Sequence, residues 1–327
     1  MMAIRRLAPA LLLLALAQPA QAQTQTAAYP TKPVTIVVPL APGGGTDFLA
    51  RLMAKHLEQR LGKPFLIENK PGAGNAIAAT AVSRAEPDGH TLMMGTTTGM
   101  AINVLLRKNL PYNPGTDFVP LAGIAKVPFI LMVNPSLPVN SVPDLVKYAK
   151  EKPLSFASSG PGSPHHLFME LFKSSTATDM MHVPYRGSLP GITDVASGHV
   201  QLMFCDYGPA AALLTAGKVK PLGISTKTRL SEAPNIAPLA ELGLPAYDAA
   251  AWQMLVAPSA TPRPIVTRLH SELQQILALP EVKEAIVKYG FVPMDETSIE
   301  GLQSFVKSEI ELWSKVVQQA GIAGSEQ

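Results

Sequence analysis

Three short turns gather the residues best suited to holding a small anion. The first is Pro42-Gly43-Gly44-Gly45-Thr46-Asp47. Its glycines let backbone N–H groups approach a ligand closely, and a helix starting there adds unpaired N–H groups and a partial positive charge. Thr46 or Asp47 is the expected N-cap, although a tight turn with an ordinary cap accounts for the same residues. The second is Gly95-Thr96-Thr97-Thr98-Gly99, whose hydroxyls suit a carboxylate or another polar end group. The third is Ser158-Ser159-Gly160-Pro161-Gly162-Ser163, hydroxyls and small residues that form an anion nest ahead of a helix. Pro164 fits the first helical position because its missing N–H costs nothing there. His165 and His166 follow in the first turn. Adjacent histidines on a helix point in different directions, so one can donate to a ligand while the other packs or faces solvent.

Magnitudes show what such turns can do together. A charge-assisted hydrogen bond contributes about 1.5–3 kcal/mol, and a helix end roughly 0.3–1 kcal/mol more. Two or three convergent turns therefore reach the roughly −8 kcal/mol of micromolar capture without an arginine clamp. Arg186, after Pro184-Tyr185, is the candidate cation near a strand end, and an ordinary surface position fits it equally.

Other chemistries fit less well. Thr97 stands at the centre of a Gly-x-nucleophile-x-Gly spacing, and Ser163 lies near His165 and His166, so an exported hydrolase is one alternative. Threonine is a poor nucleophile for such an elbow, and the acid and base are not in order. Gly72-Ala73-Gly74 lacks the third glycine and the acidic residue of a dinucleotide fingerprint. No Walker loop is present. The seven histidines and Cys205 show no metal-ligand spacing beyond the contiguous His165-His166, so neither a metal nor a cofactor is expected.

The elements that would position these turns alternate. Strands are expected at Val34–Val38, Phe65–Glu68 and Thr91–Gly95, with helices from about Phe48 to Leu61 and from Ala76 to Ala85. The strands are apolar without alternation, as in a parallel sheet buried on both faces. A strand in a new setting runs from Val127 to Val133, followed by a helix capped by Ser141. Further strands are read at Leu154–Ala157, Met181–Pro184, Val200–Phe204, Leu222–Ser225 and Gln253–Ala257. Helices are read from Pro164 to Ser174, from Gly191 to Ser197, and over 265–278, 281–289 and 298–320. Two strand–helix series joined near 126–130, with a return near 245–255, imply two α/β lobes linked by two crossings. Lobe I would hold 29–127 plus 250–327, and lobe II 128–249. Ligands in such sheets bind beyond the carboxyl ends of the strands.

Composition sets the compartment and the partners. Arg5-Arg6, the apolar run Leu7–Ala17 and Ala20-Gln21-Ala22 read as a cleavable secretory signal over 1–22. The run is too short for a permanent span, which needs about 20 residues. No cysteine follows the cleavage region, so the product is expected free in the periplasm. The formal charge of +3 includes Arg5 and Arg6, and charged residues are only 16%, so no nucleic-acid surface is expected. Cys205 is the only cysteine; an intramolecular disulfide is impossible, and its thiol is expected buried.

Many segments in order resemble the Bug-type extracytoplasmic solute receptors of tripartite tricarboxylate transporters. They include Tyr29-Pro30-Thr31-Lys32-Pro33, Pro42–Asp47, Glu68-Asn69-Lys70-Pro71-Gly72-Ala73-Gly74 and Pro87-Asp88-Gly89-His90-Thr91-Leu92. Leu110–Pro114, Asp117-Phe118, His182–Gly187, Gly217–Leu222 and the Trp313 helix continue the match. The resemblance implies a type II periplasmic-binding-protein fold, a ligand cleft between hinged lobes, a small carboxylate ligand, no catalysis, and membrane permease subunits as partners. A monomer is expected. By position it places the Gly43–Asp47, Thr96–Thr98 and Ser158–Ser163 turns and Asp206 in the cleft. Where the family often has Asp-Asn after the strand, this chain has Cys205-Asp206-Tyr207. Asp206 would repel a carboxylate unless it meets an amino or hydroxyl group, and Tyr207 could stack on a ring. A dicarboxylate, an amino acid and an aromatic acid therefore all stay open. A sensor of the same fold, feeding a signalling partner, is a further alternative.

Overall fold

The computed structural model describes residues 29–295 and 298–325. The expected signal segment lies outside these residues. In chain order the first elements are β1 (Val34–Val38), α1 (Gly45–Leu61), β2 (Phe65–Asn69), α2 (Ala76–Ser83), β3 (Thr91–Thr96), α3 (Asn103–Leu106) and β4 (Phe118–Val127). There follow β5 (Phe129–Val133), α4 (Val142–Glu151), β6 (Ser155–Ser158), α5 (Pro164–Thr176), β7 (Met181–Pro184), α6 (Ser188–Ser197), β8 (Leu202–Asp206), α7 (Tyr207–Thr215) and β9 (Lys220–Ile224). The chain ends with β10 (Ala251–Pro258), α8 (Arg263–Ala278), α9 (Pro280–Lys288), β11 (Val292–Pro293) and α10 (Ile299–Gln319).

These elements build two mixed sheets, ordered β11-β4-β10-β3-β1-β2 and β7-β6-β8-β5-β9. The fold is a two-lobed α/β architecture. Strands β1, β2 and β3 are parallel, as their buried β-branched runs predict, with Val34 opposite Phe65 and Ile36 opposite Leu92. The sheet is not parallel throughout, however. β10 runs antiparallel to both β3 and β4, and β5 antiparallel to β8 and β9.

β4 escaped the sequence reading because Pro120 and Gly123 interrupt it. The structure accommodates Pro120 beside a register shift between Leu255 and Val256, the kind of irregularity where a strand tolerates proline. Gly123 lies close under α10: a Cβ there would sit 3.0 Å from the side-chain ends of Leu302 and of Met294, which follows β11, and both would have to give way. The strand expected from 127 to 133 is thus two strands in different sheets, with Pro128 alone between them.

Helix signals are mostly where the residues put them. Ser141 Oγ accepts from the Asp144 N–H at 3.2 Å, as a cap should. Helix α1 buries Leu49, Ala50, Met53, Ala54 and Leu57, and Gly62 ends it in the left-handed region at φ 69. α1 starts at Gly45 rather than near Phe48, and α7, unforeseen, follows β8 directly. The largest core runs through residues of both sheets. Phe168 of α5 stacks on Trp313 of α10, with centroids 5.5 Å apart and planes 3° from parallel.

Candidate functional site

Strand direction decides where the candidate turns lie. The carboxyl ends of the parallel β1, β2 and β3 share one edge of their sheet. Antiparallel pairing brings the end of β4 and the start of β10 to that same edge. In the second sheet Phe129, the first residue of β5, pairs with Asp206, the last of β8, and β6 runs parallel to β8. The carboxyl ends of β6 and β8 therefore face the edge where Pro128 joins the sheets. All four candidate corners sit on these joined edges.

At the first corner Pro42, Gly43 and Gly44 are exposed, and nothing lies within 4 Å of where a Cβ would sit on either glycine. The N-cap is Gly44, without a side-chain bond, so neither Thr46 nor Asp47 caps the helix as expected. Both lie inside its first turn, because the backbone of three glycines can enter a helix without a capping side chain. Asp47 instead reaches back to the Gly43 N–H at 3.0 Å, and accepts from Arg51 Nε at 2.8 Å and from Asn69 Nδ2 at 3.0 Å. Burial works to raise its pKa; the Arg51, Gly43 and Asn69 bonds outweigh it and hold the carboxyl below its usual range. A charge so fully occupied leaves the N–H groups of Gly45 and Thr46, which have no intrahelical acceptor, to a ligand.

The second corner is more structural than expected. Thr97 Oγ1 accepts from the Trp252 N–H at 2.7 Å, tying β3 to β10. Thr96 Oγ1 accepts from Asn75 Nδ2 at 2.7 Å and from the Gly99 N–H at 3.2 Å. Both hydroxyls are committed to holding the corner. The Thr98 side chain makes no hydrogen bond to protein among the described residues.

At the third corner Ser163 caps α5, accepting from His166 N–H and donating to Gly160 O at 2.7 Å. No histidine ring nitrogen bonds its hydroxyl among the described residues, which removes the support for a nucleophile there. The two histidines diverge. His166 stacks on His182 at 3.9 Å and 7°, and its Nδ1 accepts from the Gly162 N–H. Burial first, then His182 and Lys173, push it down to about 3; burial and Lys173 push His182 down to about 4. His166 is buried and His182 half-buried, and both are held toward the neutral form. His165 points the other way, with Nδ1 2.8 Å from Ser159 Oγ and Nε2 3.5 Å from Asp206 Oδ1. Ser158 Oγ lies 2.6 Å from His182 Nε2 and accepts from the Gly160 N–H. Gly160 and Gly162 adopt φ 119 and 66.

At the fourth corner Asp206 ends β8 and precedes α7, and its side chain does not cap that helix. Tyr207 packs against Gly290, where a Cβ would sit 2.7 Å from Tyr207 Cβ. One edge of this half-buried residue therefore rests on the C-terminal segment of the other sheet. Arg186 is exposed and makes no ion pair among the described residues.

Tyr289 was not foreseen. It stacks on Phe48 of α1 at 4.4 Å and 13°, and a Cβ on Gly208 of α7 would lie 2.9 Å from its ring. Burial raises its pKa first, followed by the charges of Asp206 and Asp47. One phenol thus touches corners of both sheets. Phe291 joins it against Gly45, where a Cβ would meet Phe291 Cζ at 2.4 Å, so only glycine fits. No local pattern marks Tyr289, since its partners are remote in sequence. Gln253 of β10, opposite Thr96, also escaped notice; its Oε1 is buried without a hydrogen-bond partner. Two open hollows, of about 460 Å³ beside α4 and about 580 Å³ beside α2, are lined by none of the residues of the four corners. At the corners themselves the two sheets meet through Tyr207, Gly208, Tyr289 and Gly290.

Comparison with known proteins shows the family and the fold. A model of the tripartite tricarboxylate transporter family receptor matches residues 49–322. Protein BugT of Bordetella pertussis is 31% identical over 309 residues, covering 94% of this chain and 93% of its own. The structure of R. palustris Rpa4515 with adipate is 39% identical, with a TM-score of 0.84, over 90% of this chain and 99% of that one. MatC from Rhodopseudomonas palustris with bound malate is 32% identical, with a TM-score of 0.80, over 88% and 100%.

Proposed function

The chain belongs to the tripartite tricarboxylate transporter receptor family, and from that premise we propose that it captures a dicarboxylate at the four joined corners and delivers it to membrane permease subunits. The observation that carries the proposal is the meeting of helix starts from both sheets at one edge. The first turns of α1 and α7 present unpaired N–H groups and the positive end of a helix dipole, and α5 adds the His165 N–H, since Pro164 has none and Ser163 takes that of His166. The acid nearest the first of them, Asp47, is already saturated by Arg51, Gly43 and Asn69. Two relatives of the same fold were solved with adipate and with malate, both dicarboxylates.

The finer assignments follow the same reading. Lobe I is taken as 29–127 plus 250–327 and lobe II as 128–249, with Pro128 and the 225–250 return absorbing the hinge motion. Tyr289 would close over the solute from lobe I onto α7. Membership of a receptor family supports export to the periplasm, solute capture without turnover, and action as a monomer feeding a permease rather than a signalling partner.

Calorimetric titration of the mature protein tests this. Malate, adipate and longer dicarboxylates are expected to bind at micromolar or tighter dissociation constants, with monocarboxylates at least tenfold weaker. Tight binding of a neutral or cationic solute, with no response to any acid, overturns it.

A further inference from the structure

Three buried atoms, each able to offer a lone pair, converge behind the fourth corner. His165 Nε2 lies 3.5 Å from Asp206 Oδ1, and Cys205 Sγ lies 3.9 Å from the same oxygen. All three ligand atoms fall within 4.8 Å of one another. The residues are 7%, 9% and 0% exposed respectively. Neighbours on a strand normally face opposite sides. Asp206 ends β8 where the chain turns into α7, and this lets its carboxylate come back toward Cys205.

His165 Nε2 has no hydrogen-bond partner, although it is buried and aimed at a carboxylate. Its separation from Oδ1 exceeds that of a good hydrogen bond, about 2.7–3.2 Å. It matches instead the distance between two donors on one metal ion. Tetrahedral zinc, with bonds of about 2.0–2.3 Å, holds its ligands roughly 3.3–3.8 Å apart; the thiol of Cys205, which donates to Asp206 Oδ1 at 3.9 Å, would draw in slightly on losing its proton to the metal. The far side of the ring is also arranged as a ligand histidine requires. Ser159 Oγ holds Nδ1 at 2.8 Å, and the Phe129 ring meets the imidazole edge-on at 4.8 Å, which fixes its orientation.

We propose that His165, Cys205 and Asp206 form a binding site for a single divalent zinc-class cation, its fourth position left to water or to an oxygen of the captured solute. The donor set, one nitrogen, one thiolate and one carboxylate, suits zinc over magnesium or calcium, which take oxygen ligands. Cys205 binds as the thiolate, so each cation taken up releases the thiol proton to solvent. The site stands on its own geometry and does not need the carboxylate reading.

The test is zinc titration of chelator-treated, reduced full-length mature protein by calorimetry, without any carboxylate. One zinc per chain is expected, at a micromolar or tighter dissociation constant, with a melting temperature that rises with zinc concentration. Cys205→Ser and Asp206→Asn should each weaken binding at least tenfold, and Ser159→Ala about tenfold through the loosened imidazole. His199→Gln, at an exposed histidine outside the site, should match the wild type. Cobalt should give a thiolate-to-metal charge-transfer absorption that Cys205→Ser abolishes, a readout on wild-type protein that does not depend on how the variants fold. Absence of zinc uptake by the wild type, or cobalt spectra without a thiolate band, overturns the site. Dicarboxylate titrations on metal-free protein are run separately, so that failure of capture and failure of the metal site are told apart.

Discussion

At the residue scale the proposed site turns on side chains that already have partners. Asp47 looks in sequence like a negative charge set against an anion. In the structure it is the acceptor that closes the Gly43 turn and pairs Arg51, leaving the amides beside it positive in effect. The Gly-rich turn could be located from sequence, but its helix start could not, since glycine enters a helix at any of three positions with no side chain to mark the choice. Tyr289 was beyond reach for another reason. Its role comes from contacts with Phe48 and Gly208, which only the assembled fold brings together. Replacing it separates the ring from its hydroxyl. Tyr289→Ala is expected to weaken dicarboxylate binding at least tenfold by removing the surface on which the two sheets close, whereas Tyr289→Phe should lose less than threefold. Equal losses in the two variants would assign the effect to the hydroxyl.

At the scale of elements, β1 to β3 were legible because apolar β-branched runs between glycine turns leave little choice. β4 was not, because Pro120 and Gly123 are read as breakers until α10 and the β10 irregularity are known. Helix α5 and strand β7 carry a prediction of their own. His166 and His182 stack between them, with Phe156 beneath, Ser158 on His182 and the Glu170–Lys173 pair alongside. Their folded pKa values are lowered to about 3 and about 4 from 6.5. The unfolded chain therefore binds protons that the folded chain refuses. Stability is close to full above about pH 7 and falls as the pH drops through 6.5 toward the folded values; at pH 4.5 the loss is on the order of 2.5 kcal/mol for His166 and smaller for the more solvent-screened His182. Denaturant unfolding at pH 7 and 4.5 should show this loss. His182→Phe, which keeps the stack on Phe156, should reduce it by less than half. An unchanged acid dependence in the variant would place the titrating groups elsewhere.

At the scale of the whole molecule, the sequence shows two lobes but not how firmly they are coupled. Two crossings suggest a loose hinge. The core shows more, since apolar side chains run unbroken from one sheet to the other through α5 and α10. Phe168 stacks on Trp313, and Tyr247 donates its buried hydroxyl to Phe168 O at 2.6 Å. Glu309 anchors the arrangement from the first sheet's side, accepting from Trp313 Nε1 at 3.0 Å and from Trp252 Nε1 at 2.7 Å. The two sheets therefore share a packed back and also touch at Tyr207 and Gly290. Such a molecule should unfold in one step while the shared core is intact, because that core couples the lobes, although the second sheet also carries a separate cluster around Ile130, Met203, Val219 and Ile224. Trp313→Ala tests this where coupling is concentrated. Truncating a buried tryptophan costs about 3–5 kcal/mol; here that loss falls on the seam, so scanning calorimetry should show one transition in the wild type and two in the variant. A single transition that merely shifts downward would mean that the lobes are held together by the crossings, and that α5 and α10 only fill space between them.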